Sequence, residues 1–305
     1  MEQFFSTFSA RAIWTPELIL ILALISAVYF LMITKWRHRL PDAEPVPVKR
    51  RVYFHLGLLG VYIGFGGPLY VLGHMMLSMH MTAMAVVYLI APPLLILGMP
   101  SWFFEGLRPF KLLRGMFVAV GFPLIGLLSF NAAFSVYHLP GVFDYLLTNE
   151  GLHNVYQLGM FALALLMWWH IIPRVKTRFH LSELKQIGYM VASGVLFTPA
   201  CALIIFAGEP LYATYTDPAV WSQAIAYCLP PGADIPYSLL SGSQSLTFLS
   251  PTNDQQFGGA LMKIVQELVY GIAIGVSFRA WMKRDREETP KVVHQEYEMY
   301  EPNAQ

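Results

Sequence analysis

The stretch ELILILALISAVYFLMIT, residues 17–34, decides the fold class of this chain. Its only charged residue is the first glutamate, and its length approaches the roughly 20 residues with which a helix crosses a hydrocarbon core about 30 Å thick. Six further apolar stretches follow, at residues 52–73, 81–99, 116–136, 154–173, 187–208 and 260–282. The sequence therefore predicts an all-α, polytopic membrane protein with seven transmembrane helices in a lipid bilayer.

The composition excludes a soluble globular protein. Hydrophobic residues make up 56% of the chain, charged residues only 13%, and the mean hydropathy is +0.50. Soluble domains carry about a quarter of their residues as charged side chains, and this chain has too few to coat a globule in water. The sequence also contains no phosphate-binding glycine loop, repeat or nucleic-acid motif, so we expect no nucleic-acid partner.

The distribution of Lys and Arg predicts the orientation, because basic residues near the ends of spans stay on the cytoplasmic side. The loops at 35–51, 101–115 and 173–186 contain six, three and four of them, whereas 74–80, 137–153 and 209–259 contain none. We therefore expect the N-terminus outside and the C-terminus inside. Arg11 is the only basic residue before the first span, which argues against a cleavable signal peptide.

The spans and their short loops predict one membrane domain, residues 1–283. The outer loop 209–259 is rich in Pro, Ser and Gly, and within it TDPAVWSQAIAYCL resembles a short helix capped by Asp217, so we expect a partly ordered cap. Residues 284–305 are polar without apolar periodicity and predict a disordered cytoplasmic tail. Cys201 and Cys228 form no CxxC motif; a disulfide between them stays open, although unpaired thiols are favoured.

Histidines and methionines concentrate at the predicted outer face. GHMMLSMHMTAM, residues 73–84, has two histidines and five methionines, and His74, His80, His138 and His153 all fall at the outer ends of spans. Imidazole and thioether together suit Cu(I), a soft ion. The alternative is that the histidines are interfacial residues and the methionines flexible core packing.

Helical spacing ranks these candidate ligands. Residues four apart share a face of a helix, so His80 and Met84 form the stronger pair. His138 and His153 would supply the opposing wall, with Gln157 on the same face as His153. The weaker candidate ligands are His74, Met76 and Met79.

The last span begins with polar residues that enter the membrane. Asp254 is a candidate helix cap, and Gly258 and Gly259 leave room for another helix. Glu267 would lie about 10 Å below the outer boundary, and ionisable groups at such depth face an interior and usually serve function. The alternative is a Lys263–Glu267 pair that serves packing alone.

Four motifs resemble the CtaG family of cytochrome c oxidase assembly factors, found with caa-type oxidases in Bacillus-like bacteria. They are HMTAM with APPLLILGMP (80–100), FSVYHLPGVFDYLL with LHNVYQ (134–157), PLYATY (210–215) and DQQFGGALM (254–262). The resemblance implies that the recurring polar and sulfur positions of the family are His80, Met81, Met84, His138, His153, Gln157, Asp254, Gln255 and Met262. Many relatives have histidine where Met84 and Gln157 stand here, which disfavours a four-histidine site and is compatible with a thioether-containing Cu(I) site.

The leading hypothesis is a non-enzymatic assembly factor of the bacterial plasma membrane. It would hold Cu(I) transiently at its outer face and deliver it to a cytochrome c oxidase subunit, with Met81, Gln157, Asp254, Gln255, Met262 and Glu267 supporting the ligands or the transfer. The alternative is a haem-binding or quinone-reactive electron carrier. A copper permease would need polar residues throughout the membrane, and the last span below Glu267 is nearly apolar. A homodimer is left open.

Overall fold

The computed structural model describes residues 7–39, 43–107, 121–175, 179–229 and 249–300. Every regular element in these ranges is a helix, which confirms the predicted all-α fold. The α-helices, numbered in chain order, are α1 Ala10–Trp14, α2 Pro16–Thr34, α3 Val48–Phe65, α4 Gly67–Gly73, α5 Leu77–Ala85, α6 Ala91–Gly98, α7 Ser101–Leu107, α8 Pro123–Tyr137, α9 Pro140–Leu147, α10 Glu150–Trp169, α11 Glu183–Phe206, α12 Pro218–Ile225 and α13 Pro251–Tyr300.

Five helical segments in the described ranges are long and apolar enough to cross a membrane: Ala10–Thr34, Val48–Gly73, Leu77–Gly98, Glu183–Phe206 and Pro251–Glu287. The chain is thus a membrane protein. The fourth predicted span corresponds to α8, an apolar helix of 15 residues, and the first residues predicted for it, 116–120, lie outside the described ranges. The fifth corresponds to α10, whose first turns are polar. Seven spans and their orientation therefore stay a prediction.

Two irregularities shape the second and third spans. Gly67, the first residue of α4, has φ +68°, a left-handed conformation that glycine adopts without strain, and it lies at the break between α3 and α4. The π-helical segment Val86–Ile90 joins α5 to α6 immediately before Pro92 and Pro93. Because Pro92 has no N–H to donate to the Tyr88 carbonyl, that oxygen needs another donor, and Trp168 Nε1 supplies it from α10 at 3.3 Å.

Close helix packing positions α5, the helix that carries His80 and Met84. It contacts α13, α4 and α3, while α11 runs along α13. At Gly258 the approach is so close that a Cβ atom would lie 2.9 Å from Ser78 Cα. The small residues predicted to allow close approach in the last span therefore do so.

The last helix, α13, extends to Tyr300 and includes residues 284–300, which we expected to be disordered. This segment is rich in Lys, Arg and Glu, which favour helix, and Lys283 Nζ lies 4.0 Å from Glu287 Oε1 in an i, i+4 pair. The rest of the predicted tail, residues 301–305, lies outside the described ranges.

The first part of the predicted outer cap is ordered, and we call residues 209–229 the outer strap. Asp217 caps α12 as expected, because its Oδ1 accepts a hydrogen bond of 2.8 Å from the Ala219 N–H. Residues 230–248 of the predicted cap lie outside the described ranges. Cys201 and Cys228 are both free and buried.

A buried polar cluster links four helices of the bundle. Ser193 Oγ on α11 lies 3.1 Å from Asn131 Nδ2 and 3.0 Å from the Tyr270 hydroxyl, and it donates to Met167 Sδ at 3.4 Å. Interhelical hydrogen bonds of this kind stabilise membrane bundles modestly, by about 1 kcal/mol.

Replacing Ser193 by alanine should therefore lower the free energy of unfolding by about 1 kcal/mol, since three buried partners lose one contact each. Unfolding by SDS in mixed micelles measures the change. Ser135→Ala, at a half-buried site on α8, is the control and should change stability by less than about 0.5 kcal/mol. Equal stability of the two variants would contradict the assigned role of this cluster.

Candidate functional site

Three of the predicted histidines surround one small cavity. Its volume is about 10 Å³, on the order of a single water molecule. The side chains that bear on its chemistry are His74, His80, Met84, Tyr88, His153 and Gln157. These residues come from α5, the π-helical segment, α10 and the end of α4, so tertiary packing brings them together.

The hydroxyl of Tyr137, at the end of α8, lies between two of the imidazoles. It is 2.8 Å from His153 Nε2 and 3.3 Å from His80 Nε2. Gln157 Nε2 lies 2.9 Å from the same nitrogen of His153. The side-chain amide nitrogen of Gln157 can only donate a hydrogen bond. His153 Nε2 must therefore accept it with a lone pair.

Two further histidines have their tautomers set by the backbone. His74 Nδ1 lies 3.0 Å from the Tyr70 carbonyl oxygen, and His138 Nδ1 lies 2.7 Å from that of Phe134. A carbonyl oxygen only accepts, so Nδ1 carries the hydrogen in both rings and Nε2 carries the lone pair. Metal-ligating histidines commonly show this arrangement.

His138 lies beside the cavity rather than on its wall. The centroid of its ring lies 4.2 Å from that of the Phe134 ring and 5.2 Å from that of the Tyr137 ring. Its Nε2 is buried and has no hydrogen-bond partner in the part of the chain that the structure describes. A buried nitrogen lone pair without a donor is energetically costly, which is a reason to consider it as a ligand.

The outer strap is hydrogen-bonded to the elements around the site. Asp144 on α9 accepts from the N–H groups of Ala213 and Thr214 at 3.0 and 2.9 Å. Two tyrosines of the strap donate to the ends of the site helices: Tyr212 to the His138 carbonyl at 2.9 Å and Tyr215 to the Gly73 carbonyl at 2.7 Å. The strap is therefore hydrogen-bonded directly to two elements of the site.

Asp254 and Gln255 connect α13 to these outer elements. The Asp254 carboxylate accepts from the backbone N–H of Ser78 at 3.2 Å and from the Ser78 hydroxyl. Gln255 Oε1 accepts from the Leu211 N–H at 2.8 Å. Asp254 thus caps α5 from another helix, and Gln255 anchors the strap.

A family model for the cytochrome c oxidase caa3 assembly factor (Caa3_CtaG) matches residues 27–284. The chain belongs to this family. The resemblance seen in the sequence motifs is thereby confirmed. No curated protein matches the chain significantly, and neither does any solved structure.

The other predicted sulfur positions of this caa3 assembly factor lie away from the cavity. Met76 packs against an apolar cluster that includes Phe8 and Trp221, and Met79 is half-buried outside the cavity wall. Met81 and Met262 are fully buried in the main apolar core. Only Met84 among the predicted methionines lines the cavity.

The expectation that Glu267 faces the interior of the bundle is wrong. Its side chain is 62% exposed, and its Oε1 lies 2.7 Å from Lys263 Nζ. The inward face of α13 carries Met262 and Gln266, and Glu267 is turned about 100° from Gln266 around the helix. The structure thus contains a Lys263–Glu267 ion pair, as the alternative expected.

Sequence reasoning missed Tyr137 and Ser78. Tyr137 immediately precedes His138 in the motif FSVYHLP, and a tyrosine hydroxyl at the end of an apolar helix was an available signal. Ser78 lies 176 positions from Asp254, so no local pattern indicated their contact. Among the described residues, no three His, Cys, Asp or Glu side chains are grouped closely enough to hold a metal ion as arranged.

Proposed function

We propose that this caa3 assembly factor binds one Cu(I) ion transiently in the cavity between His74, His80, Met84 and His153, and delivers it to the oxidase. The cavity is the observation that supports the proposal. It has three imidazoles and one thioether around a space of about 10 Å³. The Tyr137 hydroxyl lies within hydrogen-bond distance of His80 Nε2 and His153 Nε2, two of the nitrogens that would bind the ion.

The chemistry of the lining favours Cu(I) over harder ions. Imidazole and thioether are neutral, soft donors, whereas Mg²⁺, Ca²⁺ and Mn²⁺ prefer carboxylate and carbonyl oxygen. No carboxylate lines the cavity in the part of the chain that the structure describes. Cu(I) needs few ligands, so an ion held by two or three neutral donors can be exchanged to another protein without enzymatic chemistry.

The proposal includes the predicted topology. Seven spans with the N-terminus outside would put the ends of α4 and α8 and the start of α10 at the outer face of the bacterial plasma membrane. There the ion could reach the oxidase without crossing the bilayer.

A haem-carrying function is less well supported. Pockets for cofactors of that size have volumes of about 300–1,000 Å³, far above the volume between these histidines. The His80 and His153 ring centroids are 6.5 Å apart and share the Tyr137 hydroxyl between them. A porphyrin would need far more space than the cavity of about 10 Å³ offers.

The test is Cu(I) binding by protein purified in mild detergent under anaerobic, reducing conditions. Competition with a chromophoric Cu(I) chelator should give about one ion per chain, with no Soret band. The double variant His80→Ala, His153→Ala should lose affinity at least about a hundredfold. His55→Ala is the matched control and should bind normally, because His55 bonds Ser26 and Arg51 away from the cavity. Undiminished binding by the double variant, or a haem spectrum, would overturn the proposal.

Tyr137→Phe should bind Cu(I) more tightly, by up to about tenfold, because the hydroxyl no longer occupies the space between the two imidazole nitrogens that the ion would use. The same variant should be about 1 kcal/mol less stable without the ion, since two hydrogen bonds are lost. Chelator competition and SDS unfolding measure the two effects. A fall in affinity would mean that the hydroxyl positions the rings for the ion rather than competing with it.

A further inference from the structure

A larger cavity lies against the first and shares part of its wall. It has a volume of about 320 Å³, and we call it the vestibule. Arg11, Glu17, Glu150 and Cys228 line its far side, and Tyr70, His74 and His153 line both cavities. Two imidazoles and one tyrosine thus form the partition between the vestibule and the cavity.

We propose that the vestibule is the route by which Cu(I) reaches and leaves the cavity, with His74 as the first ligand on that route. This inference rests on the proposed function. It names the path of the ion and the residue that receives it, neither of which the family match indicates.

The geometry of His74 fits a ligand that exchanges an ion between two spaces. Its Nδ1 hydrogen is held by the Tyr70 carbonyl, which leaves the Nε2 lone pair available. Its ring centroid is 6.0 Å from that of His153, with the planes at 83°. An ion taken up by His74 is therefore one short step from the second imidazole of the partition.

On another side of the site, at Gly73 and His138, Tyr212 and Tyr215 of the outer strap are hydrogen-bonded to the site helices. Asp144, Tyr212 and Tyr215 hold the strap with hydrogen bonds of 2.7 to 3.0 Å. Opening that side would break several buried or half-buried hydrogen bonds together, each costing about 1 kcal/mol. Passage past the His74 side chain would break one hydrogen bond, that of its Nδ1 to the Tyr70 carbonyl.

The charge of the vestibule also suits a cation. Arg11 Nε lies 2.5 Å from Glu17 Oε1, so these two charges compensate each other. Glu150 then leaves the wall with a net negative charge, which raises the local concentration of cations. Burial, reinforced by the nearby Glu150 carboxylate, raises the pKa of the Cys228 thiol to about 12. In the ion-free protein Cys228 is therefore a neutral thiol and adds no charge to the vestibule wall.

A block introduced after folding tests the route. Ala12 on α1 lines the vestibule, whereas Ala10 on the same helix is exposed. In a background with Cys201→Ser and Cys228→Ser, the purified Ala12→Cys and Ala10→Cys proteins are labelled with a bulky methanethiosulfonate. The rate of Cu(I) uptake from a chromophoric chelate is then followed.

Labelling at position 12 should slow Cu(I) uptake and release at least about tenfold, with the final copper per chain unchanged. Labelling at position 10 should change neither rate. Equal rates for the two labelled proteins would overturn the route but leave the proposed function standing. Failure of the unlabelled protein to bind copper would overturn the proposed function itself, so the two failures are distinguishable.

Discussion

Replacing Asp254 by alanine should lower the free energy of unfolding by about 3 kcal/mol. The carboxylate is buried and accepts from both the N–H and the hydroxyl of Ser78. Hydrogen bonds to a charged group contribute about 1.5–3 kcal/mol each, and both donors would stay buried without a partner. Ser78 lies in the first turn of α5, whose own N-cap residue, Met76, makes no capping hydrogen bond with its side chain.

The effect of Asp254→Ala should extend to the site, because α5 carries His80 and Met84. We expect Cu(I) affinity to fall about tenfold as the start of α5 loosens. Asn253→Ala, at the exposed neighbouring position, is the control and should change neither property. SDS unfolding and chelator competition measure the two effects. Stability within about 0.5 kcal/mol of the parent protein would show that the Ser78 contact does not hold the two helices together.

Replacing Gly64 by alanine should lower the free energy of unfolding by about 2–3 kcal/mol through overpacking. The added Cβ would lie 2.3 Å from Val87 Cβ and 3.0 Å from the Ala83 carbonyl oxygen. A Cβ atom moves only with its backbone, so α3 must shift away from the π-helical segment. Gly64 also lines the cavity, so the same change reduces the space for an ion.

Gly159→Ala is the matched control for this substitution. Gly159 lies on α10, the helix of His153, and nothing lies within 4 Å of an added Cβ. Alanine there should leave stability unchanged or raise it by up to about 1 kcal/mol, because alanine favours helix more than glycine does. If both variants unfold at the same SDS fraction, the close contact between α3 and the π-helical segment is not as described.

Six of the nine recurring family positions fall into two groups when their contacts are considered. His80, Met84, His153 and Gln157 line the cavity, and Asp254 and Gln255 hold α5 and the strap. Substitutions in the first group should change Cu(I) affinity with little loss of stability. Substitutions in the second should change both, because they act through the position of a helix.

The amino-acid sequence by itself determined the membrane character, the all-α fold and the concentration of histidines at one end of the bundle. These properties depend on composition and on helical periodicity, both of which are local. The N-cap at Asp217 and the close helix approach at Gly258 were predicted correctly because a short stretch of sequence indicates each of them.

Only the tertiary structure decided which candidates share one cavity. Periodicity tells which residues lie on one face of a helix, but the inward face depends on the neighbouring helices. For this reason Met84 lines the cavity while Met79 does not, and Glu267 points out of the bundle. The hydroxyl of Tyr137 reaches both His80 and His153 only because α5, α8 and α10 pack together. The spacing of residues along a single helix cannot predict a contact between three helices.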